Sequence, residues 1–242
     1  MSVPDAPDAP DASVESLYPF LYAGPTDLEA VLAAVRRSTA EKAEEIVALR
    51  REVLDRDGAR IAACARVLAD AFASGARLFA FGNGGSATDA QDVAALFLSP
   101  GFLPDGSGGG ATVPLPAFAL TGDVAVVTAL SNDVGFEVVF ARQLAASGRA
   151  GDIALGLSTS GNSRNLVAAF EEAGRRGMTT VGLAGYDGGQ MAELGTVDDL
   201  FVVPSSSVHR IQEAQTTVYH VLWELTQHAL VRHGAPAGSD FS

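Results

Sequence analysis

Five short apolar runs punctuate the chain: Arg77 to Phe81, Ala117 to Leu120, Asp152 to Leu157, Thr179 to Leu183 and Leu200 to Val203. They are too short for helices and lack the alternation of a half-wet sheet, so they predict strands buried on both faces. Between them, Ser86 to Leu98, Asp123 to Leu130, Phe136 to Ala146, Asn162 to Arg176 and Gly188 to Leu194 carry apolar positions at helical spacing. Alternating strand and helix predicts an α/β fold, a doubly wound parallel sheet flanked by helices. In such a fold ligands bind beyond the carboxyl ends of the strands.

Upstream, Asp27 to about Asp55 is rich in Ala, Leu, Glu and Arg, and Arg60 to Ala73 reads as a second amphipathic helix ending near Gly75. Downstream, Val208 to about His233 predicts one long helix. Ile211, Val218, Leu222, Leu225 and Leu230 make it apolar, but Gln212, Thr216 and His220, four residues apart, form a polar stripe. Such a stripe requires hydrogen-bonding partners or a cavity. From Pro100 to Pro116 the composition shifts to Gly, Pro and Ser, which predicts a mobile excursion able to act as a lid. The division expected is a disordered acidic leader over 1–24, one domain with a helical N-terminal extension over 25–235, and a flexible tail over 236–242.

Composition narrows the class of function. At 242 residues the chain buries one substantial core. A net charge of -13 argues against nucleic acid as the main ligand, while a small anion remains compatible because local backbone dipoles overcome a distant field. The leader, with Pro4, Pro7 and Pro10 among Asp5, Asp8 and Asp11, resembles neither a secretory signal nor a transit sequence. No apolar run is long enough to span a bilayer, which leads to the expectation of a cytoplasmic protein. The lone cysteine, Cys64, excludes an intrachain disulfide framework and any multi-cysteine zinc site, and reads as a helix core residue.

Two loops carry the chemistry. Phe81-Gly82-Asn83-Gly84-Gly85-Ser86 and Ser158-Thr159-Ser160-Gly161-Asn162-Ser163 each end an expected strand and begin an expected helix. Glycines let backbone N–H groups converge on an anion, hydroxyls add donors, and the helix N-terminus adds partial positive charge. One such loop is an ordinary turn as readily as a cradle. Two in the same strand-to-helix context point to a phosphate site.

These loops, with Ser131-Asn132-Asp133, Gly185-Tyr186-Asp187-Gly188-Gly189 and Arg210-Ile211-Gln212-Glu213, resemble in order the motifs of the sugar isomerase (SIS) domain family, and within it the phosphoheptose isomerases. The resemblance spans about Asp27 to His233 and implies a flavodoxin-like three-layer sandwich that interconverts an aldose and a ketose phosphate through an enediol. It implies that Ser158, Thr159, Ser160 and Ser163 hold the phosphate. Asn83, Gly84, Gly85 and Ser86 would hold the sugar, Asn132 and Asp133 its hydroxyls, and Gln212 would add a polar contact. It also implies a homotetramer with sites between subunits, and His220 as one catalytic group.

Two neighbouring positions depart from the family. The glutamate base corresponds here to Leu96, which moves no proton, while Asp92 stands one turn earlier where relatives usually carry histidine. In one reading Asp92 takes over as base with His220 as partner, on sedoheptulose 7-phosphate or a similar seven- or eight-carbon sugar phosphate. In the other, catalysis is lost and the protein binds a phosphosugar or a protein partner. Relatives that carry zinc hold it through His, Glu, Gln and His; only Gln212 and His220 match that set, so no metal cofactor is expected. Several residues have plainer roles available. Asp92 and Asp89 offset the helix macrodipole, and Asp133 is placed to cap a helix begun near Gly135. Trp223, Tyr219 and Phe140 read as core or interface. His209, His228 and His233 stand at no ligand spacing with a carboxylate.

Overall fold

A computed structural model describes residues 28–99 and 112–232. The expected leader, the tail and positions 100–111 of the glycine-rich excursion lie outside the described residues. All five expected strands form: β1 (Leu78–Gly82), β2 (Ala117–Ala119), β3 (Ile153–Leu157), β4 (Thr179–Gly185) and β5 (Asp199–Val203). They make one sheet of order β2-β1-β3-β4-β5, parallel throughout.

Strand residues alternate between the two faces, and each face has its own core. On β1, Leu78 and Ala80 pack on one side with α1 (Leu28–Ala73), α2 (Gly85–Leu98) and the final helix, Val208–Arg232. Phe79 and Phe81 point the other way, toward Val139–Ser147 and Arg164–Arg175. Every residue of β1 and of β3 is buried, which is why their sequences are unbroken apolar runs. The result is the expected three-layer sandwich. Among the described residues no helix is long and apolar enough to cross a membrane.

The expectation of two N-terminal helices is corrected: Leu28–Ala73 is one helix of 46 residues, running through Gly58. Glycine inside a helix costs about 1 kcal/mol, and tertiary contacts offset it. Asp57, 2% exposed, pairs with Arg56 at 2.6 Å and Arg60 at 2.9 Å. The same arginines donate to the Val202 and Leu200 carbonyls of edge strand β5, and the Arg60 guanidinium lies 5.1 Å from the Phe201 ring centroid. The chain divides into two compact units at Glu44/Glu45. In the described part of the first unit, helix residues are exposed apart from half-buried Ser38, whose hydroxyl accepts from Lys42 Nζ at 2.8 Å.

After β2, α3 (Val124–Asp133) begins at Asp123, whose carboxylate accepts from Val126 N at 3.0 Å. It runs beyond the expected end at Leu130, and none of its residues is buried. The expected helix from Phe136 is a 3-10 turn, Phe136–Val138, followed by α4 (Val139–Ser147). Asp133 therefore ends α3, and the residue capping the 3-10 turn is Gly135. The remaining helices are α5 (Arg164–Arg175), α6 (Gly189–Glu193) and α7 (Val208–Arg232).

Candidate active site

The sheet order reverses between β1 and β3, and a crevice opens at the carboxyl ends of strands on either side of such a switch point. The two loops singled out in the sequence leave these two strands. Gly82, the last residue of β1, stands in register with Leu157, the last of β3. Their neighbourhood is reinforced by a reciprocal amide pair: Asn83 Nδ2 donates to Asn165 Oδ1 and Asn165 Nδ2 to Asn83 Oδ1, both at 2.8 Å. Asn165, in the first turn of α5, is 3% exposed. Part of the hydrogen-bonding capacity of Asn83 is thus spent joining the loops.

The serine loop is fixed from three sides. Ser158 N donates to Leu183 O at 2.9 Å, and buried Gln215 of α7 donates to Ser158 O at 3.1 Å. Within the loop, Ser158 Oγ accepts from Gly161 N at 3.0 Å and lies 3.5 Å from Ser163 Oγ, while Ser160 Oγ accepts from Asn162 N at 3.2 Å. Behind it, Met191 N donates to Gly161 O at 3.0 Å and Gln190 N to Asn162 Oδ1 at 2.9 Å. Gly161 has φ +67°, and a Cβ there would lie 1.9 Å from Gly188 O, so only glycine fits. Among the described residues, the Thr159 hydroxyl and the N–H groups of Thr159, Ser160, Ser163 and Arg164 have no hydrogen-bond partner. Ser163 makes no side-chain cap. A set of open donors at a helix N-terminus suits a phosphate.

A second group of side chains stands where α2 meets α7: Gln212 and His220 of the polar stripe meet α2 there, while the Thr216 hydroxyl donates to Gln212 O of its own helix at 3.0 Å. Gln212 occupies the space over Gly85, where a Cβ would come 2.1 Å from Nε2. Asp89 lies beside the Gln212 amide, yet its Oδ2 is buried without a hydrogen-bond partner. Burial, then the charge of Asp92, push the Asp89 carboxyl up to about 6, against the opposing effect of Gln212. One turn on, Asp92 Oδ2 accepts from Tyr219 Oη at 2.7 Å and lies 3.6 Å from His220 Nε2. The Tyr219 and His220 rings stack with centroids 5.1 Å apart. Burial and the Asp92 hydrogen bond raise the Tyr219 hydroxyl above its ordinary value. Leu96 packs against the core and offers only carbon.

The structure thus brings Asn83, Gly84, Gly85, Ser158, Thr159, Ser160 and Ser163 to one rim, with Gln212, Asp92 and His220 alongside. Ser86 is buried, 3% exposed. Asn132 and Asp133 stand apart from this group. Both are exposed at the end of α3, where Asn132 Nδ2 donates to Asp133 Oδ1 at 2.8 Å, and neither bonds to either loop among the described residues. Four residues of the arrangement escaped the sequence reading: Asp89, Asn165, Gln215 and Tyr219. Asp89, three residues before Asp92 on the same helix face, carried a usable signal. Tyr219 read as core and is indeed 1% exposed; only its hydroxyl belongs to the site.

The zinc ligands of the family do not fit here. The matching positions are Asp92, Leu96, Gln212 and His220, of which Leu96 has no donor atom. Among the described residues no three His, Cys, Asp or Glu side chains converge.

Comparison with known proteins establishes the family. Residues 43–185 match the family described as SIS domain. A phosphoheptose isomerase of Roseiflexus sp. (strain RS-1) is 42% identical over 190 residues, covering 78% of this chain and 92% of the relative. That of Geobacter sulfurreducens is 43% identical over 180 residues, covering 74% and 90%. Among solved structures, phosphoheptose isomerase of Neisseria gonorrhoeae superposes with a TM-score of 0.71 at 33% identity, covering 80% of this chain and 99% of that one. The Francisella tularensis enzyme gives 0.72 at 31% identity, covering 80% and 98%. The chain belongs to the SIS domain family and, within it, to the phosphoheptose isomerase group.

Proposed function

We propose that this protein is an aldose–ketose isomerase of a phosphosugar, acting on sedoheptulose 7-phosphate or a similar seven- or eight-carbon sugar phosphate. The observation that carries the reading is the juxtaposition at the β1/β3 switch point. A cradle of open hydroxyl and N–H donors and a carboxylate–imidazole pair 3.6 Å apart are tied to one helix, α7, whose Gln215 holds Ser158 O, whose Gln212 covers Gly85 and whose His220 belongs to the pair. In this reading Thr159, Ser160 and Ser163 bind the phosphate, with Ser158 closing the turn. Asn83, Gly84, Gly85 and Gln212 border the sugar.

Starting from the aldose, Asp92 removes the proton from the carbon beside the carbonyl while His220 protonates the carbonyl oxygen, giving the enediol. Asp92 then returns its proton to the former carbonyl carbon, and His220 takes the proton from the neighbouring hydroxyl, leaving a ketone. Base and acid end as they began, and no other reactant is needed.

The reading includes a homotetramer whose copies cover the exposed apolar face. Phe118, Val124, Val134 and Phe136 are 50–70% exposed, and no residue of α3 is buried. In an assembly, Asn132 and Asp133 reach a site from a neighbouring copy. The reading also includes a cytoplasmic location, with which the buried free thiol of Cys64 is in keeping.

The test is incubation with sedoheptulose 7-phosphate in deuterated water. Deuterium entering beside the carbonyl, and abolished in His220→Ala, is the expected result. Sugar-phosphate binding without exchange would instead establish a non-catalytic binder, the outcome that Leu96 at the glutamate position favours.

A further inference from the structure

Tyr219 stands at the centre of the α2–α7 contact and has no part in the proton transfers just described. Its ring is core: 1% exposed, in the same cluster as Val93, Phe97, Val218 and Leu222. A buried tyrosine hydroxyl must find a partner, and a backbone carbonyl is the ordinary solution. Here it donates instead to Asp92, a carboxylate whose side chain is 53% exposed. Asp92 by itself is poorly suited to proton transfer. Its side chain is half exposed, is free to rotate about two bonds, and among the described residues has no salt bridge to lysine or arginine.

Tyr219 restricts both members of the pair. Its hydroxyl takes Oδ2 at 2.7 Å and holds that oxygen 3.6 Å from His220 Nε2, while Oδ1 stays without a hydrogen-bond partner among the described residues. Its ring stacks on the imidazole at an interplanar angle of 29°, which limits the rotation of His220. The anchor is rigid because the ring is packed into the core, so order in the interior is passed to two half-exposed side chains. We infer that Tyr219 is a positioning residue for proton transfer, fixing Asp92 by its hydroxyl and His220 by its ring. The inference rests on the isomerase reading above.

Tyr219→Phe isolates the hydroxyl, since phenylalanine keeps the ring, its stacking on His220 and its packing. A hydrogen bond to a charged group contributes about 1.5–3 kcal/mol, so kcat for deuterium incorporation from water should fall roughly 10- to 100-fold. KM for sedoheptulose 7-phosphate should stay within about twofold, because the phosphate cradle is untouched. An unchanged kcat overturns the inference and leaves the isomerase reading intact. So does a loss in which KM, kcat and thermal midpoint fall together, since that is the behaviour of a packing residue. Absence of exchange in the unaltered protein overturns the isomerase reading and the inference with it.

Discussion

The serine loop and the α2–α7 contact both lean on α7 but are constructed in opposite ways. The loop is made by adjacent residues in a tight turn, and its binding groups are mostly backbone N–H and hydroxyl. Its shape is set locally, by Gly161 at φ +67° and by the Ser158 and Ser160 hydroxyls bonding back to the turn. The α2–α7 contact joins residues more than a hundred positions apart, with Asp92 meeting Tyr219 and His220 only because two helices pack on one face of the sheet. The first suits a ligand group common to all phosphosugars. In the proposed reaction the second would set which carbon and oxygen exchange protons, so changes there would alter chemistry without altering the grip on phosphate.

That division predicts effects that do not overlap. The largest fall on catalysis. Asp92→Asn and His220→Ala should each lower deuterium exchange by roughly 10²–10⁴-fold, with affinity for sedoheptulose 7-phosphate by calorimetry within about threefold. A parallel loss of affinity would break the comparison, since the pair would then be holding substrate as much as transforming it. Next comes the cradle. Thr159→Val combined with Ser160→Ala should weaken sugar-phosphate binding by roughly 10- to 100-fold while exchange at saturation stays within a few-fold. A fall in the saturated rate with affinity preserved would reverse the assignment.

The smallest effect is on stability and needs no ligand. The folded state raises the Asp89 carboxyl to about 6 from an ordinary 3.8, so between these values it holds a proton that the unfolded chain releases. Stability is therefore lost as pH rises through this window. Asp89→Asn removes that loss, and after allowance for partial exposure the variant should gain about 1–2 kcal/mol relative to the unaltered protein above pH 7, and nothing below pH 4. Thermal midpoints at pH 4, 5.5 and 7.5 give the measurement. A difference independent of pH would show that burial does not strain this carboxylate.

Leu96 makes the same contrast within one helix. Two residues on one turn of α2 differ from the pattern that the family resemblance implies: Leu96, at the glutamate position, packs against the core, and Asp92, at the histidine position one turn earlier, carries the acid. The carboxylate is displaced along the helix by about 5–6 Å, a distance comparable to several carbon atoms of a sugar chain. Tyr219 lies where it can hold the displaced group.

What the sequence alone determined follows from short-range physics. Unbroken apolar runs mark strands buried on both faces, and helical spacing between them requires a doubly wound sheet. Glycine and hydroxyl loops at strand ends are legible as donor-rich turns, because turn geometry and donor density are local properties. The polar stripe Gln212, Thr216 and His220 announced that partners existed without naming them. The tertiary structure decided the rest. The sequence suggests two helices, one to about Asp55 and one from Arg60, yet a single helix runs through Gly58, with Arg56 and Arg60 tying it to β5. Asp89 reads as a first-turn acid and Tyr219 as core, and no period in the chain says that one would bury an oxygen without a hydrogen-bond partner or the other would hold Asp92. Those facts belong to distances between helices far apart in sequence, and such distances exist only once both helices have packed on the same sheet.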